Sequence, residues 1–208
     1  TVLEAGCQAG RLVVPLAQQG FRVTGMDTSG FALRRARQHA RAAGVTATFR
    51  RGDLVSLLQR RPSTPYDMAV CAEVLYLSPQ YQQMLRALAH AVRPGGLLFV
   101  SHRPKAYYLL EAIRQDDLTR ARDVVTRSEG PLGDGAYYNW QTEEELRTLY
   151  ASVGLEWVAL HPIDRVSWLR GLSPGRLSQA QRRQWLDVEQ QAAAVGGTCA
   201  RYVLVVAQ

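Results

Sequence analysis

Residues able to do chemistry gather where apolar runs end. Behind Val2-Leu3 comes Glu4-Ala5-Gly6-Cys7-Gln8-Ala9-Gly10, a loop of mostly small side chains. Small residues after a buried strand let a ligand lie against the backbone. The helix that follows turns its positive end toward that ligand. Three acids hold comparable places on later runs: Asp27 after Val23-Thr24-Gly25-Met26, Asp53 after Gly52, and Glu73 after the run 66–72. Ligands of parallel sheets bind at the carboxyl ends of the strands, and an ionised carboxylate there offers two acceptor oxygens and no donor. Plainer readings stand beside these. Asp27 could cap the next helix, Asp53 could close a turn, and Glu73 could be a solvated loop acid. Asp67, at a strand start, reads as a turn residue.

His102 follows the fifth apolar run. An imidazole titrates near neutrality, so it could serve as a general base; it could equally be a capping or surface residue. Tyr76, Tyr107, Tyr108, Tyr137, Tyr138 and Trp140 would either line an aromatic substrate pocket or pack an added segment onto the sheet. Other chemistries lack their residues. His39, His90, His102 and His161 stand far apart and pair with no Cys or acid at metal-ligand spacing, so no metal site is expected. Cys7, Cys71 and Cys199 match no zinc pattern, and an odd count completes no disulfide framework. No G-x-S-x-G elbow supports hydrolysis. A dinucleotide loop would need G-x-G-x-x-G, but counting from Gly6 the second and third glycines are Gln8 and Arg11.

The elements that must position these residues follow from periodicity. A strand ends at Leu3. A helix over 11–19, with Leu12, Val13 and Leu16 on one face, is stopped by Gly20. A strand over 21–26 leads to a helix over 30–43, capped by Thr28 or Ser29 and closed by Gly44. Strands are expected over 45–49, 66–72 and 97–101, with a helix over 79–92 started by Ser78-Pro79 and a turn at 93–96. Short buried strands alternating with helices imply a parallel sheet covered on both faces. The second half reads as a helix over 104–127, a loop or lid over 128–139, and a helix opened by a Thr142–Glu145 capping box. A strand over 155–160, a helix over 178–194 and a final strand over 202–206 complete it.

With no repeat and no linker, the 208 residues read as one domain with insertions at about 104–140 and 164–197. Because Thr1 opens directly inside a strand-like run, the domain is expected to be truncated at its N-terminus. A chain of this length with 47% hydrophobic residues can bury a full core. No apolar run approaches the roughly 18 residues of a membrane-spanning helix, and no secretory signal is visible. The net charge of +7 could serve an anionic partner. However, Lys105 is the only lysine, and the arginines scatter over helical segments as in solvated faces. A nucleic-acid partner is therefore not expected. The cysteine usage fits a reducing, cytoplasmic setting, with Cys7 and Cys71 as buried structural thiols.

The loop resembles motif I of the class I S-adenosylmethionine-dependent methyltransferases, an acid followed by G-x-G-x-G, with Glu4 as the acid, Gly6 and Gly10 as the outer glycines, and Gln8 in place of the middle one. Later segments agree in order and spacing. They are the strand ending at Asp27-Thr28, Gly52-Asp53-Leu54, the stretch from Tyr66 through Cys71-Ala72-Glu73 to Leu75, the turn Arg93-Pro94-Gly95-Gly96, and Trp140 with the capping box and Gly154-Leu155. The resemblance covers about 2–160 and the last strand. It implies a Rossmann-like three-layer α/β/α sandwich whose mostly parallel seven-stranded sheet has an antiparallel last strand. It also implies S-adenosylmethionine as cofactor. Glu4, Gly6, Cys7, Gln8 and Gly10 would bind the cofactor, with the Gln8 position against its methionine part; Asp27 would accept from its ribose hydroxyls, Gly52, Asp53 and Leu54 would contact its adenine, and Thr28, Cys71 and Ala72 would also bind it. The acceptor would meet Glu73, Tyr76, Tyr107, Tyr138 and Trp140, with His102 as catalytic base.

The implied reaction moves a methyl group to an O, N or C nucleophile of a small molecule, such as a quinone precursor or another metabolite. The N-P-P-Y type motif of amino-directed nucleic-acid methyltransferases is absent, since Ala72-Glu73-Val74-Leu75 stands in its place. Two other readings remain open at this point. One is a non-catalytic methyltransferase-like module of a larger protein, which Gln8 favours. The other is an RNA or protein methyltransferase using the arginine-rich faces.

Overall fold

The computed structural model describes residues 1–58, 64–133, 135–165, 168, 177–193 and 200–208. Cys199 and part of the expected insertion at 164–197 lie outside them. Strands β1 (Val2–Ala5), β2 (Val23–Asp27), β3 (Thr48–Arg51), β4 (Tyr66–Cys71) and β5 (Val92–His102) form the first half of the sheet. A β6–β7 hairpin (Glu129–Leu132, Ala136–Asn139) stands apart, and β8 (Trp157–Ile163) and β9 (Tyr202–Ala207) complete the main sheet. Its order is β3-β2-β1-β4-β5-β9-β8. The pairs β1–β2, β1–β4, β2–β3 and β4–β5 are parallel, and β9 runs antiparallel to both β5 and β8. The last strand is therefore the antiparallel one, as the resemblance implied.

Period-two alternation divides the side chains between two buried faces. In β4, Ala69 and Cys71 join one cluster and Met68 and Val70 the other. Helices α3 (Tyr81–Ala91) and α6 (Glu143–Ser152) cover the first face through Leu85, Leu88, Leu146 and Tyr150. Helices α1 (Val13–Gln18) and α2 (Gly30–Ala42) cover the second through Val13 and Leu33. The capping box of α6 forms as expected: Glu145 N–H donates to Thr142 Oγ1 at 3.2 Å, and Thr142 N–H donates to Glu145 Oε2 at 2.7 Å.

The structure departs from expectation at several places. The helix expected over 104–127 is two, α4 (Lys105–Arg114) and α5 (Leu118–Thr126). Asp116 takes a left-handed φ of 54°, and the Asp116 and Asp117 amides bond back to the Ile113 and Ala112 carbonyls at 3.1 and 2.9 Å. That closes α4 as a Schellman turn. Asp117 then caps α5 by accepting from Arg120 N–H at 2.9 Å. The stretch expected as a lid is the β6–β7 hairpin, with Glu129 opposite Asn139 and Leu132 opposite Ala136. Gly133 and Gly135 fall between its two strands. Finally, β3 starts at Thr48 and not at 45, and β5 begins at Val92, so the expected turn at 93–96 is an irregularity inside the strand. Among the described residues no helix is long and apolar enough to cross a membrane.

Candidate functional site

The carboxyl ends of β1, β2, β3 and β4 open into a cavity of about 660 Å³, within the range of small-molecule sites. The loop after β1 forms one wall. Gly6 and Gly10 hold φ of 75° and 81°, and Gln8 between them holds 44°. All three alternate residues are left-handed, a conformation that favours glycine. At Gly6 there is a second constraint: a Cβ would come within 2.3 Å of Val74 Cγ2. Gln8 thus keeps the backbone of the G-x-G-x-G pattern without its middle glycine. Gln8→Gly should relieve the left-handed strain and stabilise the chain by up to about 1 kcal/mol. Thermal unfolding should show the midpoint rising by about 2–4 °C; a fall would refute this account of the loop.

Asp27 stands at the base of the cavity. Its Oδ2 accepts from Gln8 N–H at 2.8 Å and its Oδ1 from Ser29 N–H at 2.8 Å. The helix cap of α2 is Ser29, whose Oγ accepts from Ala32 N–H at 3.2 Å. Asp27 is therefore not the cap. It ties the β1 loop to the β2 turn, and since a carboxylate has about four lone-pair sites, each oxygen keeps a lobe for a ligand. Thr28, Gly52, Asp53 and Leu54 also line the cavity, with Gly6, Gln8 and Glu73. Asp53 fills its plainer role as well, accepting from Val55 N–H at 2.9 Å through Oδ1. Met26, Phe31, Arg35, Val74 and Met84 line the cavity without having been expected. Phe31 is 64% exposed on α2. An aromatic on the polar face of an amphipathic helix was the signal that could have found it.

Other expected residues sit elsewhere. Glu4 is buried beneath the loop and does not line the cavity. Burial raises its carboxyl from 4.5 to about 7, against the lowering pull of the Val13 amide, Arg11 and the Leu12 amide. The folded chain then holds a proton that the unfolded chain releases. The stabilisation is full below pH 4.5 and is lost as pH rises through about 7. At most it amounts to about 3 kcal/mol. Chemical denaturation at both ends of that window should show a pH dependence that Glu4→Gln removes; identical slopes in the two proteins would rule this out.

Cys7 and Cys71 are free and buried, under the loop and inside the sheet. Burial pushes the Cys7 thiol up to about 12. Neither reaches the cavity, and Gly10 only backs the loop against α2, with Ala36 Cβ 3.3 Å from the position of a Cβ.

His102 is corrected outright as a catalytic base. Its side chain turns to the α3–α6 face of the sheet, 1% exposed, with Nε2 2.9 Å from the Tyr150 hydroxyl. Desolvation lowers its pKa to about 3, so it stays neutral. Trp140 is corrected as well. It is fully buried, and its Nε1–H donates to the Arg127 and Val124 carbonyls at 2.8 and 3.1 Å. With Tyr108, Val124 and Leu132 it forms a cluster joining the hairpin to α4 and α5, and Tyr138 packs against it. These aromatics pack an added segment.

Glu73 is the expected residue that does most at the open end. It holds a left-handed φ of 59°, with its N–H donating to Ser101 Oγ at 2.7 Å. Its carboxylate accepts from the Tyr202 hydroxyl at 3.1 Å and from Arg11 at 3.4 Å. It also lines a second, largely apolar cavity of about 420 Å³ with Ala72, Phe99, Ser101 and Tyr202. Tyr76 and Tyr107 lie beyond Tyr202, around Arg103. Sequence reasoning missed Arg103 and Tyr202. Arg103 follows the end of β5 and could have been found by the same rule as Glu73. Tyr202 is brought in only by the pairing of β9 with β5. Among the described residues no group of three or more His, Cys, Asp or Glu could hold a metal ion.

Residues 2–96 match the family model of a methyltransferase domain. The chain is 39% identical over 101 residues to the ubiquinone biosynthesis O-methyltransferase of Serratia proteamaculans, covering 49% of this chain and 42% of the relative. It is 34% identical over 121 residues to the protein of the same name from Xylella fastidiosa, covering 57% and 49%. The chain thus spans less than half the length of these relatives. In fold it is similar to a SAM-dependent methyltransferase from Methanosarcina mazei, with TM-score 0.69, 20% identity, and coverage of 100% of this chain and 91% of that one. It is also similar to magnesium protoporphyrin IX methyltransferase from Synechocystis with bound SAH, with TM-score 0.64, 19% identity, and coverage of 99% and 72%. Sequence match and strand order agree: residues 2–96 match a methyltransferase domain, and the chain has the Rossmann-like fold of S-adenosylmethionine-dependent methyltransferases.

Proposed function

We propose that this chain binds S-adenosylmethionine in the 660 Å³ cavity and transfers its methyl group to an O, N or C nucleophile of a small molecule. The observation that carries this is Asp27, held by two backbone amides at the cavity base with acceptor lobes to spare. The residues present fit the cofactor. Asp27 accepts from the ribose hydroxyls. The Gly6–Gly10 loop lies against the methionine part, its backbone open where Gly6 has no Cβ. Asp53 accepts from the adenine amino group, and Met26, Leu54 and Phe31 give the ring apolar walls. When bound, the cofactor supplies an electrophilic methyl on its sulfonium.

The chain's own task is then alignment and exclusion of water. Val74, Leu77 and Met84 supply apolar walls at the open end. Glu73 stands there as the group able to take a proton, where the acceptor must lose one. The O-methyltransferase relatives support a small-molecule acceptor. The free, buried thiols of Cys7 and Cys71 support a reducing, cytoplasmic setting. The test is calorimetric titration with S-adenosylmethionine and S-adenosylhomocysteine. Micromolar affinity is the expected result. No binding by the folded chain would favour a non-catalytic module.

A further inference from the structure

We propose that the arginines along the seam between α2 and β3 form a docking face for the phosphate backbone of a double-stranded nucleic acid. This goes beyond the methyl-transfer reading and does not depend on it. In sequence the arginines look scattered, but their charge is not balanced everywhere. Residues 11–51 hold eight arginines and a single acid, Asp27. They carry a formal charge of +7, which equals that of the whole chain, and in the remaining residues cations and acids balance. The excess charge of the protein therefore sits on the half of the sheet that ends in the edge strand β3.

The fold lines four of these side chains up. Arg34, Arg37 and Arg41 stand on one face of α2, three and four residues apart. Arg37 Nη2–H donates to the Phe49 carbonyl of β3 at 3.1 Å, so that face is the one turned to β3. Arg51, on β3, donates from Nε to the Thr28 carbonyl at 3.0 Å. Its Nη1 and the Nη1 of Arg34 come within 3.8 and 3.9 Å of the place a Cβ would take on Gly30, so these two guanidinia converge. At the other end Arg37 and Arg41 line an open concavity of about 270 Å³ with Val45 and Phe49. All four arginines are exposed, and none of them lines the cofactor cavity.

A single unpaired arginine is well solvated and means little. Here no Asp or Glu occurs between Asp27 and Asp53, and among the described residues the ion pairs lie elsewhere. Four like charges in a row repel one another, and a polyanion relieves that. From Arg34 to Arg41 the helix rises about 10 Å, over which one strand of a duplex presents about three phosphates. Guanidinium forks bind phosphate oxygens in pairs. The concavity at Arg37 and Arg41 receives a backbone ridge, not a flat bilayer. A membrane-docking helix also carries large apolar anchors, and on α2 the only exposed one is Phe31. A single strand requires a series of stacking aromatics. On this face Phe49 is half-buried, with the Arg37 Cζ 5.9 Å from its ring centroid.

The probe is a fluorescein-labelled DNA duplex of mixed sequence, titrated by fluorescence anisotropy. Micromolar binding is expected at low salt, and with four phosphate contacts the affinity should fall about 100-fold between about 50 and 200 mM salt. The double variant Arg34→Gln/Arg41→Gln spares the two arginines that hold backbone carbonyls. It should weaken binding at least about tenfold and reduce the salt slope by about 2. Arg86→Gln/Arg183→Gln removes the same charge from exposed sites outside the face and should change the affinity less than about twofold. Both variants should keep the thermal midpoint, because the sites are exposed. Should the first variant fail to fold, hydrogen exchange on the unaltered chain decides: the duplex should protect residues 30–51 and leave 143–152 unchanged. No binding of the duplex at low salt, equal loss in the two variants, or protection outside 30–51 alone would each overturn the proposal. The last arm uses vesicles of equal parts phosphatidylglycerol and phosphatidylcholine. Vesicle binding that Arg34→Gln/Arg41→Gln weakens, with no binding of the duplex, would assign the face to a membrane and overturn the proposal as well.

Discussion

Asp27→Ala should weaken S-adenosylhomocysteine binding by about 100-fold or more, measured by calorimetry on folded protein. Two ribose hydroxyls would lose an ionised acceptor, and hydrogen bonds to charged groups contribute about 1.5–3 kcal/mol each. Together that is about 3 kcal/mol or more, which corresponds to a factor of about 100 or more in affinity. Asp27 also holds Gln8 N–H and Ser29 N–H, so part of the loss could come from a loosened loop. Ser29→Ala separates the two effects. It removes the cap on Ala32 N–H and should cost about 1 kcal/mol of stability, while leaving the Asp27 carboxylate in place. Affinity should then change little. An Asp27→Ala protein with unchanged affinity would remove the ribose assignment, and with it the main support for the cofactor site.

Trp140→Ala should be the most destabilising single change in the second half. The indole is fully buried, its ring centroid lies 5.7 Å from that of Tyr108, and its N–H satisfies the carbonyls of Val124 and Arg127 near the end of α5. Truncating a buried tryptophan costs about 3–5 kcal/mol, and a domain of this size should lose about 10 °C in thermal midpoint. Trp140→Phe keeps most of the packing and strands the two carbonyls, so its loss should be smaller, about 1–3 kcal/mol. Cofactor affinity, measured below the midpoint, should not move in either variant. A protein of unchanged stability with impaired methyl transfer would return Trp140 to the acceptor site and undo its assignment to packing.

What could be read from the sequence was local. The glycine loop, the acids at Asp27 and Asp53, the alternation of short strands with helices and the capping box each depend on neighbours within a few residues. Backbone conformation, capping and strand ends are governed over that range. The strand-end rule also placed Glu73 correctly beside the cavity. The tertiary structure decided what depends on which face a side chain takes and on what lies across the sheet. His102 and Arg103 are adjacent in sequence, yet His102 is buried against Tyr150 while Arg103 sits among Tyr76, Tyr107 and Tyr202. Tyr202 reaches Glu73 across 129 positions because β9 inserts beside β5. Trp140 looked like a pocket residue by composition and is a packing residue by burial. An aromatic side chain looks the same in sequence in either role, and only the surface around it decides between them.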